Sequence, residues 1–348
     1  MMAKTAILTS HLAWCGVAAR MINLMLTSCT SDQPVAAAAV ANAHDAEELH
    51  VGLCAQDACI SPKFLYDALG SKLFEAICEL PEYYPTRTEA AIFERHGAEI
   101  ARVAGTGTTL IDLGAGNCAK AARLFPLLQP AQYVAVDISA EFVHDALGRL
   151  RQRFPQIAMD ALGMDFSNHF ELPELVRAER RLFFYPGSSI GNFTPEDAQA
   201  FLTRLRAQCG PDGGILIGVD LVKDKATLDA AYDDALGVTG AFNLNILRHV
   251  NRLVDADFDI RQWQHRGFYN AARGRIEMHL EARSAQEVHW RGGARRFAAG
   301  DRIHTENSYK YQQADAIQLL ERSGFEANRV WTDPQRWFAV IHAQAIAQ

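Results

Sequence analysis

From Thr108 to Leu221, short apolar runs alternate with amphipathic stretches, and this limits the chain to few architectures. "TTLIDLG" (108–114) is apolar and ends in glycine, so it reads as a buried strand. "CAKAARLFPLL" (118–128) has helical spacing. "QYVAVDIS" (132–139) is the next strand, and Ser139 suits the N-cap of the helix "EFVHDALGRLRQRF" (141–154). "RRLFFYPGSSIGNF" (180–193) runs from a strand into a glycine-rich loop. "TPEDAQAFLTRLRAQC" (194–209) opens with a Thr cap, a first-turn Pro and acids, all helix-start signals. "GGILIGVDL" (213–221) is another buried strand. The alternation predicts an α/β fold with a Rossmann-like, doubly wound, mostly parallel sheet.

The pattern then changes. "KDKATLDAAYDDALGVTGAFNLNILRHVNRLV" (223–254) reads as helical along its length. "FDIRQWQHRGFYN" and "RIEMHLEARSAQEVHW" (275–290) alternate as antiparallel strands do. Helix and strand return at "QQADAIQLLERSGF" (312–325), "NRVWTD" and "WFAVIHAQA". The expected division is a sheet domain of 88–221 plus 311–348 and a smaller α+β unit of 51–87 plus 222–310. A ligand pocket between two such units is a common arrangement. Residues 1–50 are set aside as a leader, a linker or a mis-set start. Their apolar stretch is interrupted by His11 and Arg20, and "SDQPVAAAAVANAHDAEE" is of low complexity.

Composition narrows the partners. Formal net charge is −7, and the densest basic run, "RGGARR" (291–296), reads as a solvated hairpin tip. Neither a nucleic acid nor a membrane partner is expected. Seven cysteines lie scattered with no C-x-x-C pair, which fits reduced thiols in a cytoplasmic protein and no metal site. A monomer acting on a small molecule is the expectation.

"LIDLGAGN" (110–117) is the first chemical motif. Gly114 and Gly116 fall at a strand-to-helix turn, where the backbone can approach a ligand and the helix start offers free N–H groups. The run also fits G-x-G-x-x-A through Ala119, so a dinucleotide must be weighed. Asp112 inside the strand suits a ligand with an ammonium group and is awkward beside a pyrophosphate. Asp137 ends the next strand, where a carboxylate can accept from ribose hydroxyls. In "GMDF" (163–166), Asp165 can meet an adenine amino group while Phe166 packs on the ring. Lys120 is either a solvated helix lysine or the partner of a ligand carboxylate. An amino acid end, a ribose and an adenine together describe S-adenosylmethionine (SAM), which is preferred over NAD.

Further motifs occur in a fixed order: "FLYDALGSKLFEAICELPEYYPTRTEAAIF" (64–93), "DLGAGN", "GMDF", "GSSIGNF" (187–193), "AAYDDALGVTGAFNLNIL" (230–247), "RIEMHL" (275–280) and "IHTENSYKY" (303–311). With these, the chain resembles the L-histidine Nα-methyltransferases of ergothioneine biosynthesis over about residues 60–345. The resemblance implies trimethylation of histidine by SAM to its betaine, hercynine, through mono- and dimethyl forms. It places Tyr66, Gly114, Lys120, Asp137, Asp165 and Phe166 on the SAM side. It places Tyr83, Asn192, Tyr232, Met278, Glu306 and Ser308 on the histidine side, with Glu306 and Ser308 on the imidazole. Asn192 and Tyr232 would hold the α-carboxylate and amine. The catalytic candidates are Tyr66, Tyr83, Asn192 and Tyr232. "GAGNCAKAA" and "TENSYKY" depart from actinobacterial members, which carry more Ser, Thr and Glu in the first and "TEISxKF" in the second. Both variants keep Glu and Ser two apart. An N-methyltransferase for another amino acid or amine, an idle relative that binds SAM or amino acid, and an NAD-linked oxidoreductase remain as alternatives.

"RIHTENSYKY" (302–311) shows no apolar period of two or of three to four. If it is extended, Glu306 and Ser308 point the same way, and Asn307, Tyr309 and Tyr311 point the other.

Overall fold

The structure, a computed structural model, describes residues 33–138, 140–166 and 170–346. A boundary after Ala43 divides the chain into two units, and the unit His44–Gln348 carries both sheets and the site described below. The elements in chain order are α1 (Gln33–Cys54), α2 (Ala68–Cys78), α3 (Tyr84–Ala104), β1 (Thr109–Leu113), α4 (Ala119–Leu128), β2 (Gln132–Asp137), α5 (Ala140–Arg153), β3 (Ala158–Gly163), β4 (Arg181–Tyr185), α6 (Pro195–Gln208), β5 (Gly214–Asp220), α7 (Lys225–Tyr232), α8 (Val238–Val254), β6 (Trp263–Asn270), β7 (Arg275–Ala282), β8 (Gln286–Trp290), β9 (Gly293–Phe297), β10 (Arg302–Tyr309), α9 (Gln313–Arg322), β11 (Phe325–Thr332) and β12 (Phe338–Ala345).

One sheet of seven strands has the order β11-β12-β5-β4-β1-β2-β3. β1 pairs in parallel with both β2 and β4, so the strand order reverses there. Open α/β sheets bind ligands at the carboxyl ends of strands beside such a reversal. β12 runs antiparallel to β5 and to β11, the one departure from a parallel sheet. Both faces are covered. Ile111, Val134, Phe183 and Ile215 pack with Phe201 and Leu319, while Leu110, Tyr133 and Leu182 pack with Ile100, Phe125 and Leu147. Burial on both faces is why β1 and β5 read as continuous apolar runs rather than alternating ones.

A second, antiparallel sheet has the order β10-β7-β6, and β8 with β9 forms a hairpin. Its core joins Leu280, Ile303 and Trp263 to Phe242 and Ile246 of α8 and to Phe64, Leu65 and Ile77.

The structure departs from the sequence reading in four places. The stretch 223–254 is two helices, because Asp233 ends α7 and the Asp234 carboxylate caps α8 by accepting from Val238 N–H and Thr239 N–H. "RIHTENSYKY", which shows no strand period, is strand as far as Tyr309, and its register shifts between His304 and Glu306. Arg295 is no solvated tip residue: its guanidinium donates to the backbone carbonyls of Leu53, Ala55 and Gln56. The stretch read as a linker carries α1, whose Leu49 and Leu53 are buried. Ser139, the expected cap of α5, lies outside the described residues.

Candidate active site

The loop after β1 folds onto the end of β2. Gly114 N–H and Ala115 N–H both donate to Val136 O, at 2.9 and 3.1 Å. Gly116 N–H donates to Asp137 Oδ2 at 2.9 Å. Gly114 and Gly116 have φ of +70° and +52°, the left-handed region that a side chain would strain. A Cβ at Gly116 would meet no atom within 4 Å, so the space over this turn is open. Met164 N–H donates to Asp137 O at 3.0 Å, which brings "GMDF" to the same strand end. The Phe166 ring packs against Tyr185 and Phe201 at 6.2 and 5.8 Å. Asp112 is buried and accepts from Tyr133 Oη at 2.7 Å, and burial pushes its carboxyl up to about 7. Lys120 sits 2.8 Å from Glu89 Oε2, and Glu89 Oε1 accepts from Gly187 N–H at 2.7 Å. Glu89 thus ties α3 to α4 and to the loop after β4.

Beside this strand end stands β10. Before the register shift, Ile303 and Thr305 are the buried residues; after it, Glu306, Ser308 and Lys310 are. A β-bulge re-aims side chains in this way. Asn307 and Tyr309 face the other side, bonded to His304 and Arg275. Glu306 lies opposite Met278 of β7, and its Oε2 is buried without a hydrogen-bond partner. Burial pushes the Glu306 carboxyl up to about 7, against the pull of the Lys310 charge.

Ser308 Oγ is 3.0 Å from Tyr232 Oη at the end of α7. Lys310 Nζ donates to both, at 2.8 and 2.9 Å, and pairs with Asp220 Oδ2 at 2.8 Å. Burial works against the Lys310 ammonium, but Asp220 and Tyr232 together outweigh it and the pKa is raised. Asp220 is held low despite its own burial by Lys310 and Lys223. Burial brings Lys223 down to about 8.

Aromatic rings line the same region. Tyr66 meets Phe74 and Phe242 at 5.7 and 5.6 Å, and Tyr83 meets Phe74 and Tyr232 at 6.2 and 5.9 Å. Burial pushes both the Tyr66 and Tyr83 hydroxyls well up, and Glu306 adds to the rise at each. Asn192 ends the short turn Ser189–Asn192 after β4. A Cβ on Gly191 would lie 2.7 Å from Tyr309 O and 3.5 Å from Ser308 Oγ. Only glycine lets this turn press against β10, and Asn192 follows Gly191 in the chain at that contact.

The predicted residues therefore gather in two adjoining groups. Asp137, Gly114, Gly116 and Phe166 lie at the strand ends, with Asp165 next to them in the chain and Lys120 on the following helix. Tyr66, Tyr83, Asn192, Tyr232, Met278, Glu306 and Ser308 lie around β10. The sequence reading missed Lys310, Asp220, Tyr84, Lys223 and Glu89. Two of these carried a local signal: Lys310 continues the spacing of two from Glu306 and Ser308, and Asp220 ends β5 as Asp137 ends β2.

The profile of a family described as "Histidine-specific methyltransferase, SAM-dependent" matches residues 45–345. A histidine N-alpha-methyltransferase of Mycolicibacterium smegmatis is 40% identical over 293 residues, 82% of this chain and 90% of that protein. Ergothioneine biosynthesis protein 1 of Neurospora crassa is 31% identical over 288 residues, 77% of this chain and 31% of that longer protein. An N-methyltransferase of Aspergillus flavus, imqF, is 25% identical over 300 residues, 83% of this chain and 81% of that protein. The chain belongs to the SAM-dependent, histidine-specific methyltransferase family.

Proposed function

We propose that this protein transfers methyl groups from SAM to the α-amino nitrogen of L-histidine, three times over, to form hercynine, the first step of ergothioneine biosynthesis. The observation that carries the reading is Glu306: a buried carboxylate with an unpaired oxygen, two residues from a buried hydroxyl. Such an oxygen is costly to bury unless a ligand completes it. An imidazole supplies one N–H and one bare nitrogen, the complement of a carboxylate and a hydroxyl. A site so built rejects side chains that leave those groups unpaired.

The residues at the strand ends fit SAM. Asp137 can accept from ribose hydroxyls, Asp165 and Phe166 can meet the adenine, and Lys120 can meet the amino acid carboxylate. The open turn at Gly114 and Gly116 admits the ligand without a Cβ in its path. Bound there, SAM supplies a methyl on a sulfonium, already activated for in-line displacement.

The protein's part is to position the amine and exclude water. Asn192, with donor and acceptor on one amide, and Tyr232 hold the α-carboxylate and amine. Met278 floors the pocket. Tyr66 keeps its hydroxyl neutral because burial raises it so far, with Glu306 and Asp137 adding to the rise. The product carries a fixed positive charge, and the rings of Tyr66, Tyr83 and Tyr232 can face it by cation–π attraction. An amine must be deprotonated before it attacks, and methyl transfer from a sulfonium needs no metal. In this reading the unit around the large sheet serves SAM, the unit around β10 serves histidine, and the protein is a cytoplasmic monomer.

Calorimetry on Glu306→Ala tests the assignment. Histidine affinity falls by roughly tenfold or more, while SAM affinity holds. An equal loss for both ligands would sink the role given to Glu306.

A further inference from the structure

Behind the proposed ligand contacts Ser308 and Tyr232 lie Lys310 and Asp220, which the ligand need not touch. The Lys310 side chain is fully buried, at 0% exposure, and its Nζ reaches Asp220 Oδ2, Ser308 Oγ and Tyr232 Oη. An ammonium has three protons and no lone pair, so all three are committed. Both hydroxyl oxygens therefore act as acceptors toward Lys310. Ser308 and Tyr232 also bond to each other across 3.0 Å, with one donating. The pair holds two protons and uses one internally. One remains to point at a ligand.

The cation leaves that count unchanged and sets direction: it has no lone pair, so neither hydroxyl proton can point toward Lys310. We propose that Lys310 is a positioning residue that fixes the Ser308–Tyr232 pair so that it offers the bound amino acid one directed hydroxyl proton. Asp220 holds the cation in place, and Asp220 is itself held by Tyr84 Oη at 2.7 Å and by Lys223. The consequence is specificity. With Tyr232 donating to Ser308, the free proton is on Ser308: Glu306 takes the N–H of a ring and Ser308 donates to the bare nitrogen. The pocket then reads a neutral imidazole in one orientation. A lysine in the interior would otherwise be an odd choice, since burying a charge is costly unless every proton finds a partner.

The inference rests on the histidine reading above, so its test must separate the two. Histidine binding is measured by calorimetry with S-adenosylhomocysteine present, on the wild type, Lys310→Met, Ser308→Ala and the double variant. Wild-type binding of histidine tests the reading itself. If Lys310 acts through the hydroxyl pair, each single change weakens histidine by roughly tenfold or more. The double variant is then no more than about twofold worse than the weaker single one. SAM affinity is unchanged throughout, which a general loss of structure would not allow. Effects that multiply, or a Lys310→Met protein that binds histidine normally, overturn the proposal. Should Lys310→Met fail to fold, Lys310→Met/Asp220→Asn removes the charge together with its partner, and the same cycle is read in that background. If this pair also fails to fold, Lys310 serves the fold rather than the pocket, and the proposal falls.

Discussion

Tyr84 Oη donates to Asp220 Oδ2 across 2.7 Å, joining the first residue of α3 to the last residue of β5. Both side chains are buried, and Lys223 Nζ lies 4.2 Å from the Tyr84 ring centre and donates to its hydroxyl. Asp220 is thus the shared anion of two lysines and a phenol. Removing the phenol donor with Tyr84→Phe is expected to cost about 1–3 kcal/mol. Asp220→Ala strands the buried Lys310 ammonium and is expected to cost more, about 3–5 kcal/mol. Chemical denaturation reads both; an Asp220→Ala protein as stable as the wild type contradicts the network.

Glu306 carries a pH signature of its own. Its carboxyl ionises at about 7 in the folded, ligand-free protein and at its ordinary value of 4.5 once unfolded. Below 4.5 the group is protonated in both states and costs nothing. As pH rises toward 7 the unfolded chain loses the proton first, so stability falls. Glu306→Gln, which cannot ionise, is expected to gain on the wild type between pH 5 and 8, by up to about 3 kcal/mol. Asp112, also pushed up to about 7, is present in both proteins and cancels. A stability gap that stays flat with pH would show that Glu306 ionises freely.

Asp137 gives the cofactor side its own test. Its Oδ2 accepts from Gly116 N–H at 2.9 Å, so the residue also shapes the turn. Asp137→Ala is expected to weaken SAM by roughly ten- to hundredfold, the loss of a charged hydrogen-bond acceptor. Titration calorimetry with SAM decides it. Full SAM binding by this variant would remove Asp137 from the cofactor site.

Much of the large sheet is legible in the sequence for a physical reason. The inner strands β1, β2, β4 and β5 are buried on both faces, so they appear as short, mostly apolar runs; β2 and β5 end in an acid and β1 runs into Gly114. The smaller unit is harder to read. "DDALG" carries Ala and Leu between α7 and α8, so composition hides a break that Asp234 makes by capping α8. In β10 the shift at Thr305 swaps the buried parity midway, and the buried residues after it are polar. A period of two cannot survive that, and Glu306 and Ser308 stood out only through the family resemblance. The Lys310 network was hidden for another reason. Its partners Tyr84, Asp220 and Tyr232 are brought together by packing between distant segments, and no local pattern reports such a meeting.

The central claim is that the protein methylates the amino group of histidine. Incubating it with SAM and all twenty amino acids, then weighing the products by mass spectrometry, tests that claim most directly. The account predicts that histidine gains three methyl groups, with the mono- and dimethyl forms as intermediates, while the other amino acids stay unmodified. Untouched histidine beside a methylated competitor, or no methylated product at all, would contradict it.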